Sequence, residues 1–256
     1  MASNPPVLPS TNPEPASLRV AVVTLFPELF TTYLRTSFVK RAISEKKLSV
    51  HLEYLREHGL GRHRSIDDSP YGGGAGMVMR VDCVMNAITN AERQAAFVPK
   101  AHRILLCPQG NRFDQAAARR IATLSNVVLV CGRYEGFDER VRHFVDEEIS
   151  LGDFVLTGGE IPAMAMIEAC IRMLPGVLGN EHSASDESFS EELEGGLEYP
   201  QYTRPLSYEG LDVPEILRSG DHQRIRAWRR AQSLDRTQQR RPDLVCPKSL
   251  PSNAKR

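Results

Sequence analysis

Two segments of the chain combine glycines with apolar residues in a pattern that suits contact with a flat ligand. The first, Cys131–Gly136, reads CGRYEG, and the second, Ser150–Pro162, reads SLGDFVLTGGEIP. Glycine lets a backbone approach a ring closely, and a turn leaves N–H and C=O groups available to the ring edge. No lysine or arginine lies between Arg142 and Arg172, whereas a cradle for several phosphates needs such cations. The two segments therefore predict a site for a purine ring and a ribose, with ordinary turns between strands and helices as the alternative.

Standard nucleotide-binding motifs are absent from the sequence. There is neither a G-x-G-x-x-G after a predicted strand nor a G-x-x-x-x-G-K-[ST], which disfavours a Rossmann dehydrogenase and a P-loop NTPase. The absence of G-x-S-x-G disfavours a hydrolase with a serine elbow. The run Gly72–Gly76 is too flexible for a framework element and predicts a mobile active-site loop. Tyr71, directly before this run, is a candidate substrate contact.

Strand and helix patterns alternate along most of the chain. Nearly continuous aliphatic or alternating runs predict strands at Leu18–Leu25, Leu48–Leu55, Arg103–Cys107 and Asn126–Cys131. Helical spacing predicts helices at 27–43, Val81–Phe97, Asp114–Leu124 and Ile161–Leu174. This alternation indicates an α/β fold with a mostly parallel sheet.

In such sheets, ligands bind beyond the carboxyl ends of the strands. Three segments are expected at those ends: Pro108-Gln109-Gly110, Gly132–Gly136 and Ser150–Gly159. The sequence therefore predicts that these three segments line one ligand site.

Composition changes at both ends of the chain. Residues 1–17 contain five prolines and neither Lys nor Arg, which predicts a disordered tail rather than a secretory signal or transit peptide. Residues 181–198 contain seven acidic residues and neither Lys nor Arg, which is typical of a linker. From Tyr199 onward, 12 Lys and Arg stand against 6 Asp and Glu, a net charge of 12 − 6 = +6. The predicted organisation is a tail at 1–17, a cofactor-binding domain at 18–179, a linker at 180–198 and a basic domain at 199–256.

The basic domain is predicted to be helical and to meet a polyanion. Val213–Arg218 and Asp221–Ser233 have helical patterns, and Asp221 can cap the second helix. Residues 221–241 hold seven arginines against two aspartates, so an arginine face would bind phosphates without reading sequence. Trp228 either packs inward with Ile225 or stacks on a base. The candidate substrate contacts on this surface are Arg224, Arg229 and Arg230.

The five cysteines are an odd number, and no two of them form a CxxC pair. This pattern predicts buried reduced thiols, no zinc site and a cytoplasmic protein. No apolar run approaches the roughly 18–20 residues that a membrane span needs. We therefore expect neither a protein metal site nor a membrane segment.

Eight motifs of the chain resemble, in their order, those of the bacterial tRNA (guanine-N1)-methyltransferase family of the TrmD type. The motifs are LFPELF, PYGGGAGMVM, CPQG, CGRYEGFDERV, SLGDFVLTGGEIPAM, RMLPGVLGN, YTRP and RRAQSL followed by RRPDL. The resemblance covers residues 18–245, nearly everything except the two tails.

This resemblance implies methylation of N1 of the guanosine at position 37 of tRNA, next to the anticodon, with S-adenosylmethionine as the methyl donor. It implies a SPOUT fold, in which a parallel sheet has helices on both faces and a C-terminal trefoil knot, followed by a small α-helical domain. It also implies a homodimer whose subunits share each active site, and a need for Mg²⁺, for which the sequence has no signature. By position, the implied cofactor-binding residues are Pro108, Gln109, Gly132, Leu151, Gly152, Asp153, Phe154, Val155, Leu156, Gly158, Gly159 and Pro162.

The resemblance also assigns catalytic roles. Guanine N1 carries a proton at neutral pH, so a carboxylate is implied as general base, and Arg172 is implied to stabilise negative charge on O6. The family pattern ends in Asp-Ser-Phe, whereas this chain has Glu187 at the aspartate position and Asp186 one residue earlier. A glutamate reaches about one bond further, and a misplacement of ~1 Å can cost about 10²-fold in rate. Glu187 is the expected base, and Asp186, acting through a shifted linker, is the alternative.

Two other functions stay open on the sequence alone. A related SPOUT methyltransferase with another RNA target would share the cofactor segments, although the basic C-terminal domain favours tRNA. A tRNA-binding protein weakened in catalysis by the change to Glu187 would keep the scaffold without the product. The chain also stops soon after RRPDL, where the family usually continues with about one more helix, so the terminal module is expected to be smaller.

Overall fold

The computed structural model describes residues 17–178 and 187–245. The described residues fall into two compact units, which lie within Met1–Val177 and Leu178–Arg256. All of the predicted tail except its last residue lies outside the described residues, and so does Asp186.

The first unit is built on a five-stranded parallel sheet with the strand order β2-β1-β6-β5-β7. Two further short strands, β3 and β4, form a separate antiparallel ribbon. The strands of this unit are β1 (Leu18–Thr24), β2 (Leu48–Tyr54), β3 (Asp67–Asp68), β4 (Val78–Met79), β5 (His102–Arg112), β6 (Asn126–Cys131) and β7 (Glu147–Ser150).

Helices cover both faces of this sheet. Leu18, Val20 and Val22 of β1 belong to one core cluster, while Ala21 and Val23 belong to a second cluster on the opposite face. The first cluster includes side chains from α1, α2, α4 and α5, and the second includes side chains from α3. Strands buried on both faces need nearly continuous apolar runs, which explains the sequences of β1 and β6. The helices are α1 (Glu28–Tyr33), α2 (Ser37–Ser44), α3 (Val81–Gln94), α4 (Gln115–Ala122) and α5 (Glu160–Ile171).

Two of the predicted elements differ from the structure. The single helix expected at 27–43 is two helices, because Thr36 has an extended backbone with φ −116° and ψ 143°. The segment Pro108-Gln109-Gly110 is not a loop but the irregular part of β5, where the pairing with β7 shifts register between Leu106 and Asn111. A Cβ at Gly110 would lie 2.4 Å from the backbone of β7, so a glycine is required for the two strands to approach.

The second unit is dominated by one helix, α6 (His222–Arg240), preceded by the hairpin of β8 (Ser207–Tyr208) and β9 (Leu211–Asp212). The cap predicted for α6 is confirmed, since Oδ1 of Asp221 accepts hydrogen bonds from N of Gln223 at 3.1 Å and of Arg224 at 3.0 Å. The helix runs about two turns further than predicted. The helix expected at Val213–Arg218 is instead a 3-10 turn at Glu215–Arg218. In the described part of the chain, no helix is both long and apolar enough to cross a bilayer.

The described part of the acidic segment, residues 187–198, packs on α6. The Ser233 hydroxyl donates to the carbonyl of Leu197 at 2.6 Å, and the Thr237 hydroxyl accepts from N of Leu197 at 2.9 Å. Ser233 and Thr237 are buried, which explains why small hydroxyl side chains stand in the middle of a helix rich in arginine. The end of this segment is therefore anchored to α6 by two hydrogen bonds.

Candidate active site

One cavity of about 220 Å³ lies at the carboxyl ends of β5, β6 and β7. Its walls come from the three segments that the sequence predicted to meet: the irregular part of β5, the turn after β6 and the connection from β7 to α5. Nine of the twelve predicted cofactor-binding residues line this cavity: Pro108, Gly132, Leu151, Phe154, Val155, Leu156, Gly158, Gly159 and Pro162.

The other three predicted cofactor residues are not part of the wall. The Gln109 side chain accepts a hydrogen bond from Nη2 of Arg142 at 2.7 Å, next to a different depression. Gly152 lies against the ring of Phe154, which would be 2.6 Å from a Cβ at that position. Asp153 is exposed. These residues support or flank the cavity rather than line it.

The cavity also contains residues to which the sequence assigned no role. Tyr134 and Glu135 lie between the two glycines of the first segment, and Phe137 follows them. Tyr134 has a left-handed backbone, with φ 59°, so the turn is tight as the glycines indicated. Cys107 is a further lining residue, and its thiol donates to Oε2 of Glu148 at 3.1 Å.

Arg133 is the one Lys or Arg among the described residues that line this cavity, and other groups of the protein hold its guanidinium. Nη2 lies 2.9 Å from Oε2 of Glu160, which is 2 % exposed, and Nη1 donates to the carbonyl of Thr157 at 3.2 Å. The guanidinium also sits 4.4 Å from the ring centre of Phe26. The Arg133 guanidinium is already paired with a carboxylate, a carbonyl and an aromatic ring. The wall therefore suits a ring and a ribose better than a chain of phosphates.

Backbone hydrogen bonds join the wall segments to each other. N of Gly159 donates to the carbonyl of Gly132 at 3.0 Å. On the other side, N of Glu135 donates to Met77 O at 3.0 Å, and N of Met79 donates to Gly136 O at 2.9 Å. The exit of the glycine-rich run is therefore paired with the turn after β6, which forms part of the cavity wall.

Replacing Gly159 by alanine is expected to weaken ligand binding in this cavity. A Cβ at Gly159 would lie 2.7 Å from Cα of Cys131 and 3.0 Å from N of Gly132, and neither backbone atom can move alone. The backbone of Gly159 (φ −83°) is open to alanine, so the cost is steric. Overpacking of this kind typically costs about 1–3 kcal/mol, and we expect about a tenfold increase in ligand Kd, measured by calorimetric titration.

The control for this change is Gly61→Ala. Gly61 has φ +69°, and a Cβ at this position would have no atom within 4 Å, so alanine there strains the backbone without touching the cavity. Gly61→Ala should lower Tm and leave the Kd unchanged. An unchanged Kd for Gly159→Ala as well would show that the two wall segments tolerate separation.

The run Gly72–Gly76, which was predicted to be a mobile loop, has a left-handed backbone at its glycines. Gly72, Gly73, Gly74 and Gly76 all have positive φ, between 77° and 137°. Tyr71 is fully exposed, and it borders a second groove rather than the cavity. The structure thus places the candidate substrate contact on the open surface of the loop.

The candidate catalytic residues fall in different units. Arg172 is the C-cap of α5 in the first unit and is half-buried. Glu187 is half-buried in the second unit, where its carbonyl accepts from N of Ser190 at 3.1 Å. Asp186 lies outside the described residues.

Two of the three candidate arginines on α6, Arg229 and Arg230, contact other side chains of the protein. Arg224 is exposed, Arg230 pairs with Glu194 at 3.0 Å in an ion pair open to solvent, and Arg229 sits 4.6 Å from the ring centre of Tyr199. An exposed pair contributes little to stability and can be exchanged for a phosphate. Ile225 and Trp228 are half-buried, on the helical spacing that leads to the buried Ser233 and Thr237, in agreement with inward packing.

The four described cysteines are free. Burial raises the pKa of the Cys131 thiol well above its ordinary value, and Glu160 adds to this shift, so that thiol stays protonated and inert at neutral pH. Within the described residues there is no group of three or more His, Cys, Asp or Glu side chains that could hold a metal ion. We therefore assign none of these residues to Mg²⁺.

The fold and the cavity define a class: a parallel α/β protein whose ligand site lies at the carboxyl ends of its strands, where such proteins bind ligands. The sequence matches the family model for tRNA (Guanine-1)-methyltransferase TrmD over residues 18–247. The chain belongs to this family.

Several similar proteins are named tRNA (guanine-N(1)-)-methyltransferase. The one from Sorangium cellulosum (strain So ce56) is 55% identical over 245 residues, covering 89% of this chain and 93% of that protein. The one from Anaeromyxobacter sp. (strain Fw109-5) is 53% identical over 230 residues, covering 90% and 91%. The one from Moorella thermoacetica (strain ATCC 39073 / JCM 9320) is 50% identical over 231 residues, covering 89% and 90%.

Proposed function

We propose that this protein methylates N1 of the guanosine at position 37 of tRNA with S-adenosylmethionine. The observation that carries the proposal is the family match, which extends over residues 18–247 and includes every wall segment of the cavity. The relatives are about half identical to this chain over nine tenths of its length and are named for the guanine-N1 reaction.

The chemistry of the cavity fits the cofactor. Close backbone at Gly132, Gly158 and Gly159 would hold the adenine and ribose, with Leu151 and Leu156 as apolar walls. When bound, S-adenosylmethionine supplies an electrophilic methyl group on a sulfonium centre. Glu135 is an exposed carboxylate on the same wall, so its charge is complementary to that centre.

Proton removal is the task that the chain's own residues must perform. Glu187 would accept the proton of guanine N1, which leaves a lone pair on N1 for the methyl group that bound S-adenosylmethionine would supply. Arg172 donates hydrogen bonds to O6 as negative charge develops there. Asp186 remains the alternative base, since it lies one residue earlier in the sequence.

The basic helical unit would hold the tRNA backbone. The arginines of α6, including Arg224, Arg229 and Arg230, supply cations that neutralise phosphates without reading bases. Tyr71 on the glycine-rich run is a candidate contact near the target nucleotide. The division into a cofactor domain at 18–179, a linker at 180–198 and a tRNA-binding domain at 199–256 is part of this proposal.

We also propose the homodimer, the knot and the cytoplasmic location that the family and the cysteines imply. Exposed apolar side chains at the cavity support a subunit contact, because such patches mark interfaces; they are Phe154 and Val155, which line it, and Ile161, next to the lining residue Pro162. The knot is proposed from the family match alone. Free cysteines support a reducing compartment.

The test is a methyl-transfer assay with labelled S-adenosylmethionine and a tRNA transcript carrying guanosine at position 37. A transcript with adenosine at that position is the control. We expect label only in the first transcript, at N1 of that guanosine. Label at another nucleotide would instead support a related SPOUT enzyme, and cofactor-independent tRNA binding without product would support a tRNA-binding protein.

A further inference from the structure

A buried carboxylate links three separate segments behind the cavity wall. Glu160, in the first turn of α5, is 2 % exposed, and its Oε1 accepts a hydrogen bond from the hydroxyl of Thr24 at 2.9 Å. Its Oε2 lies 2.9 Å from Nη2 of Arg133. Thr24 is the last residue of β1, and Arg133 belongs to the turn after β6. Burying a carboxylate is costly unless charge and hydrogen bonds compensate it. Oε1 is compensated by the Thr24 hydrogen bond, whereas Oε2 has no hydrogen-bond partner among the described residues and depends on the charge of Arg133.

The Arg133 side chain reaches across the two main walls of the cavity. It belongs to the wall after β6, and its Nη1 donates to the carbonyl of Thr157 in the wall before α5, at 3.2 Å. Phe26 covers the guanidinium, with its ring centre 4.4 Å away, and N of Phe26 donates to the hydroxyl of Thr24 at 3.0 Å. Arg133 therefore holds two wall segments together, and Glu160 and Phe26 hold Arg133.

The backbone of Gly158 is packed directly on this pair. A Cβ at Gly158 would lie 2.3 Å from Nε of Arg133 and 2.5 Å from Oε2 of Glu160. Gly158 itself lines the cavity. A shift of the Arg133–Glu160 pair would therefore displace a residue that lines the cavity.

We propose that Glu160 is a positioning residue for S-adenosylmethionine: through Arg133 it holds the two wall segments at the spacing that the cofactor requires. Thr24 orients the carboxylate from the end of β1. Glu160 is absent from the residues lining the cavity, so its effect on the cofactor passes through Arg133 and Gly158. This inference rests on the proposed cofactor site.

The experiment compares Glu160→Gln with the wild-type full chain. Glutamine keeps the shape but removes the charge that holds Arg133, and a loss of about 1.4 kcal/mol corresponds to tenfold in affinity. We expect about a tenfold rise in the Kd and the KM for S-adenosylmethionine, with the KM for tRNA unchanged and kcat at saturating cofactor within about threefold of wild type.

Glu53→Gln is the matched control. Glu53 is a second buried carboxylate of the same unit, 4 % exposed, and it accepts from Asn90 at 2.8 Å and contacts the rings of His58 at 2.6 Å and His51 at 3.0 Å. It does not line the cavity. Glu53→Gln should lower Tm about as much as Glu160→Gln does, because both remove the charge of a buried carboxylate. It should leave the cofactor Kd at its wild-type value.

A second pair of variants covers the case in which Glu160→Gln does not fold. Thr24→Val removes the hydroxyl with little change in volume and should raise the cofactor Kd several-fold, whereas Thr24→Ser keeps the hydroxyl and should restore binding. If Glu160→Gln or Thr24→Val binds the cofactor within twofold of wild type, the positioning role is wrong. If the wild-type chain binds no S-adenosylmethionine at all, the proposed function itself is wrong, and the inference is overturned with it.

Discussion

Replacing Glu187 by glutamine is expected to lower kcat for methyl transfer by about 10²–10⁴-fold, the contribution typical of a general base. The Kd for S-adenosylmethionine should not change, because Glu187 belongs to the second unit and the cavity is lined by residues of the first. Glutamine is nearly isosteric but cannot accept the N1 proton. Single-turnover kinetics with saturating cofactor and tRNA separate this step from binding.

Asp186→Asn is the matched variant for this prediction. If Glu187 is the base, Asp186→Asn keeps most of the activity. The opposite pattern, with a large loss for Asp186→Asn and a small one for Glu187→Gln, would assign the base to Asp186. Normal single-turnover rates in both variants would show that neither carboxylate removes the proton.

Replacing Arg172 by alanine is expected to lower kcat by about 10²–10³-fold, the loss seen when a donor to a developing oxyanion is removed. Arg172 caps the carboxyl end of α5, whose buried face packs in the main core cluster. That anchoring holds the Cα of Arg172 in a defined place, which a stabilising donor requires. Arg172→Lys keeps the positive charge but loses the planar fork, so we expect an intermediate rate.

The control for Arg172→Ala is Arg120→Ala in the same unit. Arg120 lies on α4 and pairs with Glu147 at 2.7 Å, and it does not line the cavity. Its removal should leave methyl transfer at the wild-type rate. A normal kcat for Arg172→Ala, with only the KM for tRNA raised, would make Arg172 a binding residue and leave O6 without an assigned donor.

The strands of the sheet could be predicted from sequence where burial dictates the residue types. Asn126–Cys131 is β6 with the predicted bounds, and all six of its residues are buried. β7 was missed because it is only four residues long and reads EEIS, a pattern without an apolar run. Its pairing with the irregular part of β5 depends on contacts about forty residues apart in sequence, which local patterns do not record.

The candidate site shows the same division. The segments after β6 and before α5 were predicted as parts of the ligand site from their glycines. Glycine lets a backbone approach a ligand or another segment closely, and this property can be read from the sequence. The contact between Glu160 and Thr24 was not predicted, since it spans 136 positions. Gln109 was predicted in the cavity, but its side chain bonds to Arg142, a partner that no spacing along the chain indicates.

The sequence by itself thus determined the α/β class, the two backbone-rich segments and the basic character of the last helix, because each depends on residue types within one local stretch. Tertiary structure decided which segments meet in the cavity, which way Arg133 is held, and that residues 187–198 pack on α6. These outcomes depend on burial and pairing between residues distant in sequence, and such contacts gain their free energy only when the chain has folded.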